Sequence, residues 1–382
     1  MTGAGVMEPV DVPSRARPRA CVVSQRGAHH LASRCVAYEL EDVIRAVDHA
    51  EVLVPRPRPG FRLGYKASNR VARHTGLRGP NPGMGRIRLE RTYDLFFAAC
   101  MFPSDLSSLR AVEGWRRRAA VSVCWLEEIW AGELSKWRGQ LRQLADFDHV
   151  VLNCAGSVDA VQEAIGRPCS YLPPGVDALR FSPFPGLPPR VVDVYGLGRT
   201  SPAVHAALRD MADRHEIFYV HDTLRRPETD RPAEHRRLVA DVAKRSRLFL
   251  VDVAKRGRGH ETHGQPEIGF RFFEGSAAGA VLVGQAPDTP AFREHFGWPD
   301  SVIRLPEDPA RIPDAVHDLL KQDRRLERAS ARNVAAALRR HDWAHRWRTV
   351  LEIAGLEPLT PLGERLGWLE DVAAQVEPGS GG

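Results

Sequence analysis

The feature that most narrows the fold is an alternation. Short apolar runs rich in Val, Leu and Phe recur at residues 20–24, 51–54, 95–98, 121–125 and 149–153, then again at 191–195, 217–220, 248–253, 281–283 and 301–305. Between them lie stretches of helical period, at residues 36–50, 202–214, 233–245, 273–279, 311–322 and 324–340, with two more at 341–355 and 362–375. Strand and helix taking turns in this way is the pattern of an α/β fold with a largely parallel sheet.

Two breaks interrupt the series. Residues 55–91, dense in Gly and Pro, are expected to form a long irregular insertion, of the kind that is usually functional or mobile. Residues 171–190, YLPPGVDALRFSPFPGLPPR, read as an interdomain linker. The expected organisation is an N-terminal domain over residues 18–172, a linker over 173–189, a second domain over 190–356, and a helix and tail over 357–382 that pack back on the first domain. Two such halves leave a cleft between the carboxyl ends of two sheets, where ligands bind in open α/β folds.

Composition then removes several alternatives. With 43% apolar and 27% charged residues over 382 positions, the chain is neither a disordered tail nor a disulfide-stapled miniprotein. No run reaches the ~18 apolar residues that span a bilayer, and the first twenty residues carry Arg and Pro where a signal peptide has an apolar block, so a soluble, cytoplasmic protein is expected. The six cysteines are scattered singly without a C-x-x-C pair and read as buried free thiols. The formal charge of +6 is uneven: residues 55–91 hold ten basic residues against one acid, which makes this window +9 and leaves −3 for the rest. Three readings of the window stay open: a loop closing on an anionic substrate, a peripheral contact with an acidic membrane surface, or a solvated loop. Its only aromatics are Phe61 and Tyr65, so base stacking is poorly supported and no nucleic-acid partner is expected.

The most informative run is residues 266–284, PEIGFRFFEGSAAGAVLVG. Glu267 and Glu274 stand seven positions apart around Gly269, Phe270 and Arg271, a helix begins near Phe273, and a buried strand follows at Val281. With Gly269 and Phe270 in the loop before the helix, their N–H groups and the positive end of the helix dipole can face a phosphate. Glu274 in the first turn can accept two ribose hydroxyls; by spacing alone it equally complements the helix dipole, and Glu267 is equally a loop acid.

This run resembles the donor-binding motif of retaining GT-B glycosyltransferases of the group 1 (family 4-like) superfamily, nearest to the bacterial spore-maturation-type relatives. Three further segments resemble the same family in the same order: YLPPGVDALRFSP at 171–183, VYGLGRTSP at 194–202 and HDWAHRW at 341–347. Six residues separate the two Glu here where the family usually has seven. The resemblance implies two Rossmann-like domains with parallel sheets facing across a cleft. It implies a nucleoside diphosphate sugar as donor, retention of configuration, no cofactor and no catalytic metal. Donor contacts fall on Glu274, Arg199, Gly198, Gly269, Phe270, Arg271 and Lys255, and Glu267 lies by the sugar.

Glycosyl transfer builds negative charge on the leaving phosphate and oxocarbenium character on the sugar. Without an Asp-x-Asp motif in a strand-to-helix loop, cationic side chains stabilise the diphosphate; Arg199 is the first candidate by position, followed by Lys255 and Arg271. In the first half, QRGAHH at 25–30 and VCWLEEIW at 123–130 each follow a strand, which places His30 and Glu127 where an acceptor hydroxyl could be oriented or deprotonated. The acceptor itself is unidentified. An NDP-sugar epimerase and a non-catalytic nucleotide-binding protein on the same fold stay open at this stage.

Overall fold

The computed structural model describes residues 17–223 and 227–377. The first half contains β1 (Ala20–Val23), α1 (Cys35–Val47), β2 (Ala50–Leu53), α2 (Phe61–Thr75), β3 (Ile87–Arg88), β4 (Tyr93–Cys100), β5 (Val112–Glu113), α3 (Trp115–Arg118), β6 (Ala119–Leu126), α4 (Arg138–Leu144), β7 (His149–Leu152), α5 (Val158–Ile165) and β8 (Cys169–Tyr171). A short α6 (Ala178–Phe181) leads into the second half: β9 (Val192–Gly196), α7 (Pro202–Asp213), β10 (Tyr219–His221), α8 (Pro232–Lys244), β11 (Ser246–Val251), α9 (Gly259–Thr262), α10 (Phe270–Ala277), β12 (Val281–Gly284), α11 (Pro290–Phe296), β13 (Ile303–Arg304), α12 (Ile312–Leu320), α13 (Asp323–Arg340), α14 (Trp343–Ile353) and α15 (Thr360–Val376).

Among the described residues two large parallel sheets result, in the orders β2-β1-β4-β6-β7-β8 and β10-β9-β11-β12-β13, with β3 and β5 forming a separate two-stranded parallel pair. The central strands are buried on both faces: β1 is 0–1% exposed throughout and Val281, Leu282 and Val283 are fully buried. Such burial is what lets them read as unbroken apolar runs. Since parallel strands require crossovers, every loop that leaves a strand's carboxyl end emerges on one edge of its sheet. Strand β8 joins the first sheet although its sequence, CSY, is short and only half-buried, and no apolar run announces it.

The irregular insertion expected over residues 55–91 is instead built around the fifteen-residue helix α2. The helix breakers lie outside it. Pro55, Pro57 and Pro59 precede Gly60, and Gly76, Gly79 and Pro80 follow. Gly60 and Gly76 bracket the helix with φ of +85° and +64°, conformations that glycine takes at no steric cost. Phe61, Ser68 and Ala72 form its buried side. The other correction is smaller: α10 begins at Phe270 rather than near Phe273.

The last helices connect the two halves. Asp342 caps α14 by accepting from the Ala344 N–H at 2.8 Å, and its other oxygen accepts from the Ala178 N–H at 2.8 Å. Trp347 of α14 donates through Nε1 to Asp48 at the end of α1 at 2.8 Å. Arg365 of α15 reaches Asp177 at 2.8 Å and Asp342 at 2.7 Å; burial alone would raise the Asp177 carboxyl, yet Arg365 and Arg180 hold it below the usual range. All six cysteines are free thiols, five buried and Cys169 half-buried.

Candidate active site

The carboxyl edge of the second sheet carries a cavity of about 510 Å³. Arg199 and Ser201 come from the loop after β9, Asp252 and Arg256 from the loop after β11, Gln285 from the loop after β12, and Glu307 from beyond β13. At its rim Gly198 has φ of +83° and donates its N–H to Asp222 at 2.7 Å. A Cβ there would sit 3.5 Å from the Arg271 Nε, so the guanidinium lies over the glycine. Arg199 is exposed and has no ion-pair partner among the described residues. Behind this rim Gly269 is the N-cap of α10, followed by half-buried Phe270. The helix lies tight against the sheet: a Cβ on Gly275 would come within 2.5 Å of the Leu282 side chain.

Both oxygens of Glu274 are occupied in this arrangement. One carries an ion pair to Arg236 and the other an ion pair to Arg271, and the carboxylate is 1% exposed. Burial alone would raise its pKa, but the two arginines hold it below the usual range. Arg236, itself 2% exposed, also donates to Glu39 of α1 at 2.8 and 3.2 Å. Glu39 in turn accepts from the Asp177 N–H at 2.7 Å and Trp343 Nε1 at 3.1 Å. A buried chain of alternating charge therefore runs from α1 of the first half to α10 of the second. Arg236 is not among the site residues expected from the sequence. Its signal was an arginine on the apolar stripe of α8, in line with Val239, Ala240 and Ala243.

Glu267 and Lys255 lie at the junction between the two halves. Glu267 accepts from the N–H groups of Ala155 and Gly156, which follow β7, at 2.9 and 2.8 Å, and from Gln265 Nε2 at 2.6 Å. Burial raises its pKa against those three hydrogen bonds. Lys255 is ion-paired with Glu128 after β6 and with Glu261 at 2.5 Å, over the Trp130 ring. Burial would lower the Lys255 pKa; the two carboxylates outweigh it and raise it. Elsewhere between the halves, the backbone carbonyl of His30 accepts from the Thr229 N–H at 2.7 Å.

In the first half, Glu127 follows β6 and is 4% exposed, and among the described residues neither of its carboxylate oxygens has a hydrogen-bond partner. Burial pushes its carboxyl up to about 8; Arg34 opposes this, and Asp105 and Glu128 add to it. The neighbouring groups form a buried polar cluster. Arg34 grips Asp105 with both terminal nitrogens at 2.8 and 2.9 Å, and Tyr65 Oη donates to Asp105 at 2.9 Å. His30 is exposed. His29 is the histidine turned inward, 3.9 Å from Asp105 and edge-on to Tyr65, with its pKa pushed to about 4 by burial and by Arg34. Among the described residues Gln25 Oε1, Arg34 Nε and Glu41 Oε1 are also buried without partners, and buried polar atoms left open in this number mark a surface that takes a ligand or water. Among the described residues, no three His, Cys, Asp or Glu side chains are grouped to hold a metal ion.

Residues 207–352 match a family model described as glycosyl transferase-like. An alpha-glucosyltransferase solved with UDP and a DNA 13-mer containing an HMU base superposes with a TM-score of 0.55 at 10% identity, over 88% of this chain and 99% of that one. An alpha,alpha-trehalose-phosphate synthase (UDP-forming) from Burkholderia vietnamiensis superposes with a TM-score of 0.55 at 13% identity, over 91% and 98%. No curated protein matches the sequence. The chain has the GT-B fold. The match to the glycosyl transferase-like model runs from within α7 to within α14 and includes Arg236, Lys255, Glu267 and Glu274; the first half is placed by fold alone.

Proposed function

We propose that the enzyme transfers a sugar from a nucleoside diphosphate sugar, held at the carboxyl edge of the second sheet, to a hydroxyl on an acceptor bound against the first. The observation that carries this reading is the cavity after β9, β11, β12 and β13, with exposed Arg199, Arg256 and the Arg271 end over Gly198 at its rim. Two or three guanidinium groups at one edge match a diphosphate, whose charge grows as the glycosidic bond breaks; arginines held in place stabilise that charge with little reorganisation. UDP is the favoured nucleotide, supported by the UDP-containing alpha-glucosyltransferase and by the UDP-forming synthase of the same fold.

Donor entry exchanges partners at Glu274. Its pairing with half-exposed Arg271 gives way as that arginine turns to the diphosphate, and the freed oxygen accepts from a ribose hydroxyl, while Arg236 continues to hold the other. Glu127 orients the acceptor hydroxyl from the opposite wall, and Glu267 fixes the two walls at their working separation by gripping the backbone after β7. Retention of configuration and independence of a catalytic metal belong to this proposal, through the family resemblance.

Calorimetric titration with UDP, GDP, TDP and ADP tests it. Saturable binding of one nucleotide, lost in Glu274→Ala, is expected, together with release of that nucleotide from its sugar conjugate when acceptor extracts are supplied. No saturable binding of any of the four overturns the reading. Conversion of the donor without an acceptor points instead to an epimerase.

A further inference from the structure

The outer side of α2 is divided lengthwise into two stripes. Arg62, Lys66 and Arg70 stand at i, i+4 and i+8, and Leu63, Ala67 and Val71 stand at i, i+4 and i+8 beside them; all six are exposed. The helix contains no acidic residue. Among the described residues the three cations have no ion-pair partner. Leu63 is 75% exposed, Val71 41% and, just past the helix, Leu77 57%. With Val54 at 37%, these are the only large exposed aliphatics or aromatics among the described residues of the first half; the others lie at residue 187 or beyond.

We infer that this face of α2 docks on an anionic lipid bilayer. Phosphate groups satisfy the cationic stripe, as they would on a nucleic acid, but a nucleic-acid backbone gives the leucine and valine stripe nothing to enter. A membrane interface serves both stripes at once, with aliphatic side chains at the acyl boundary and cations among the headgroups. The opposite side of the same helix is fixed to the protein: Phe61 and Tyr65 pack edge-on to His29, and Tyr65 donates to Asp105. A helix is roughly 10 Å across, so docking brings the His29 and Asp105 cluster beneath α2 close to the headgroups. The inference concerns the outer face alone and does not depend on which sugar is transferred.

Co-flotation of the full chain with vesicles tests it without any transfer assay. Binding is expected to vesicles of equal parts phosphatidylcholine and phosphatidylglycerol, weakened by salt, and not to phosphatidylcholine alone. Replacing Arg62, Lys66 and Arg70 with Gln together should lower vesicle affinity roughly 100-fold. Replacing Leu63 and Val71 with Gln should lower it roughly tenfold. A Leu63→Trp variant, which leaves the charges in place, should shift its fluorescence to the blue on anionic vesicles. Absence of binding to anionic vesicles overturns the inference, as does binding that the Leu63 and Val71 replacements leave unchanged. Retention on duplex DNA without vesicle binding overturns it in favour of a polyanion surface.

Discussion

The guanidinium of Arg236, on α8 of the second half, donates to Glu39 of α1 in the first half at 2.8 Å. It is also ion-paired with Glu274, so one buried side chain connects α1 of the first half to α10 of the second. Removing it leaves two buried carboxylates without their shared cation, a change that costs about 3–5 kcal/mol in comparable buried pairs. Arg236→Met is therefore expected to lower the unfolding free energy by about that much in urea titration. A second set of changes, Glu39→Gln with Glu274→Gln in the same background, should recover part of the loss. A drop below about 1 kcal/mol would show that the network contributes little.

Glu127 predicts a pH dependence with a definite sign. Its folded pKa of about 8 lies above the ordinary value of 4.5. The folded state thus holds this proton more tightly than the unfolded chain. The contribution to stability is full below the ordinary value, falls as pH rises through the interval between the two, and is lost above the folded value. The difference in unfolding free energy between wild type and Glu127→Gln should change by up to about 1.4 kcal/mol per pH unit across that interval and level off above it. A flat difference from about pH 5 to about pH 9 would refute the elevated pKa. If the carboxylate orients the acceptor, the transfer rate should rise toward pH 8, and Glu127→Gln should remove that rise.

These two residues show what the sequence could and could not display. Glu127 was visible as an acid just past an apolar strand, because a strand end and a cleft-facing loop can be read from one short window. Arg236 was not, since its two partners lie 197 and 38 positions away and meet it only after both sheets have formed. The same limit explains His29 and His30: both follow β1, and only the placement of Asp105 and α2 decides which one turns inward. Helix α2 was obscured for a different reason. Averaged over residues 55–91, Gly and Pro suggest an irregular chain, whereas position by position they are gathered on either side of an uninterrupted helical stripe.

Glu267 should behave as a clamp between the halves. Glu267→Ala leaves the N–H groups of Ala155 and Gly156 without their acceptor, at about 1–3 kcal/mol for each group that stays buried, or else lets the cleft open to water. Small-angle scattering should then show a larger radius of gyration for Glu267→Ala than for wild type, with Glu267→Gln between them because it keeps one acceptor oxygen. Identical scattering and identical stability in all three proteins would remove Glu267 from the junction.

The proposed donor site gives the arginines at the cavity rim a test that separates recognition of charge from recognition of the nucleoside. Arg199 has no ion-pair partner among the described residues, so its replacement breaks no pairing within the protein; Arg271 does have one, and losing it leaves the second oxygen of Glu274 uncompensated. Charge-assisted hydrogen bonds contribute about 1.5–3 kcal/mol each, which corresponds to roughly 10- to 150-fold in affinity. Arg199→Gln is expected to weaken UDP by about that factor and to leave uridine binding unchanged, since uridine has no diphosphate. Arg271→Gln should weaken UDP at least as much, with a further loss of stability from the exposed need of Glu274 for a cation. Equal loss of UDP and uridine in Arg199→Gln would mean that this arginine shapes the cavity rather than binding the phosphates. Calorimetry on the two ligands decides between these outcomes with no acceptor in the cell.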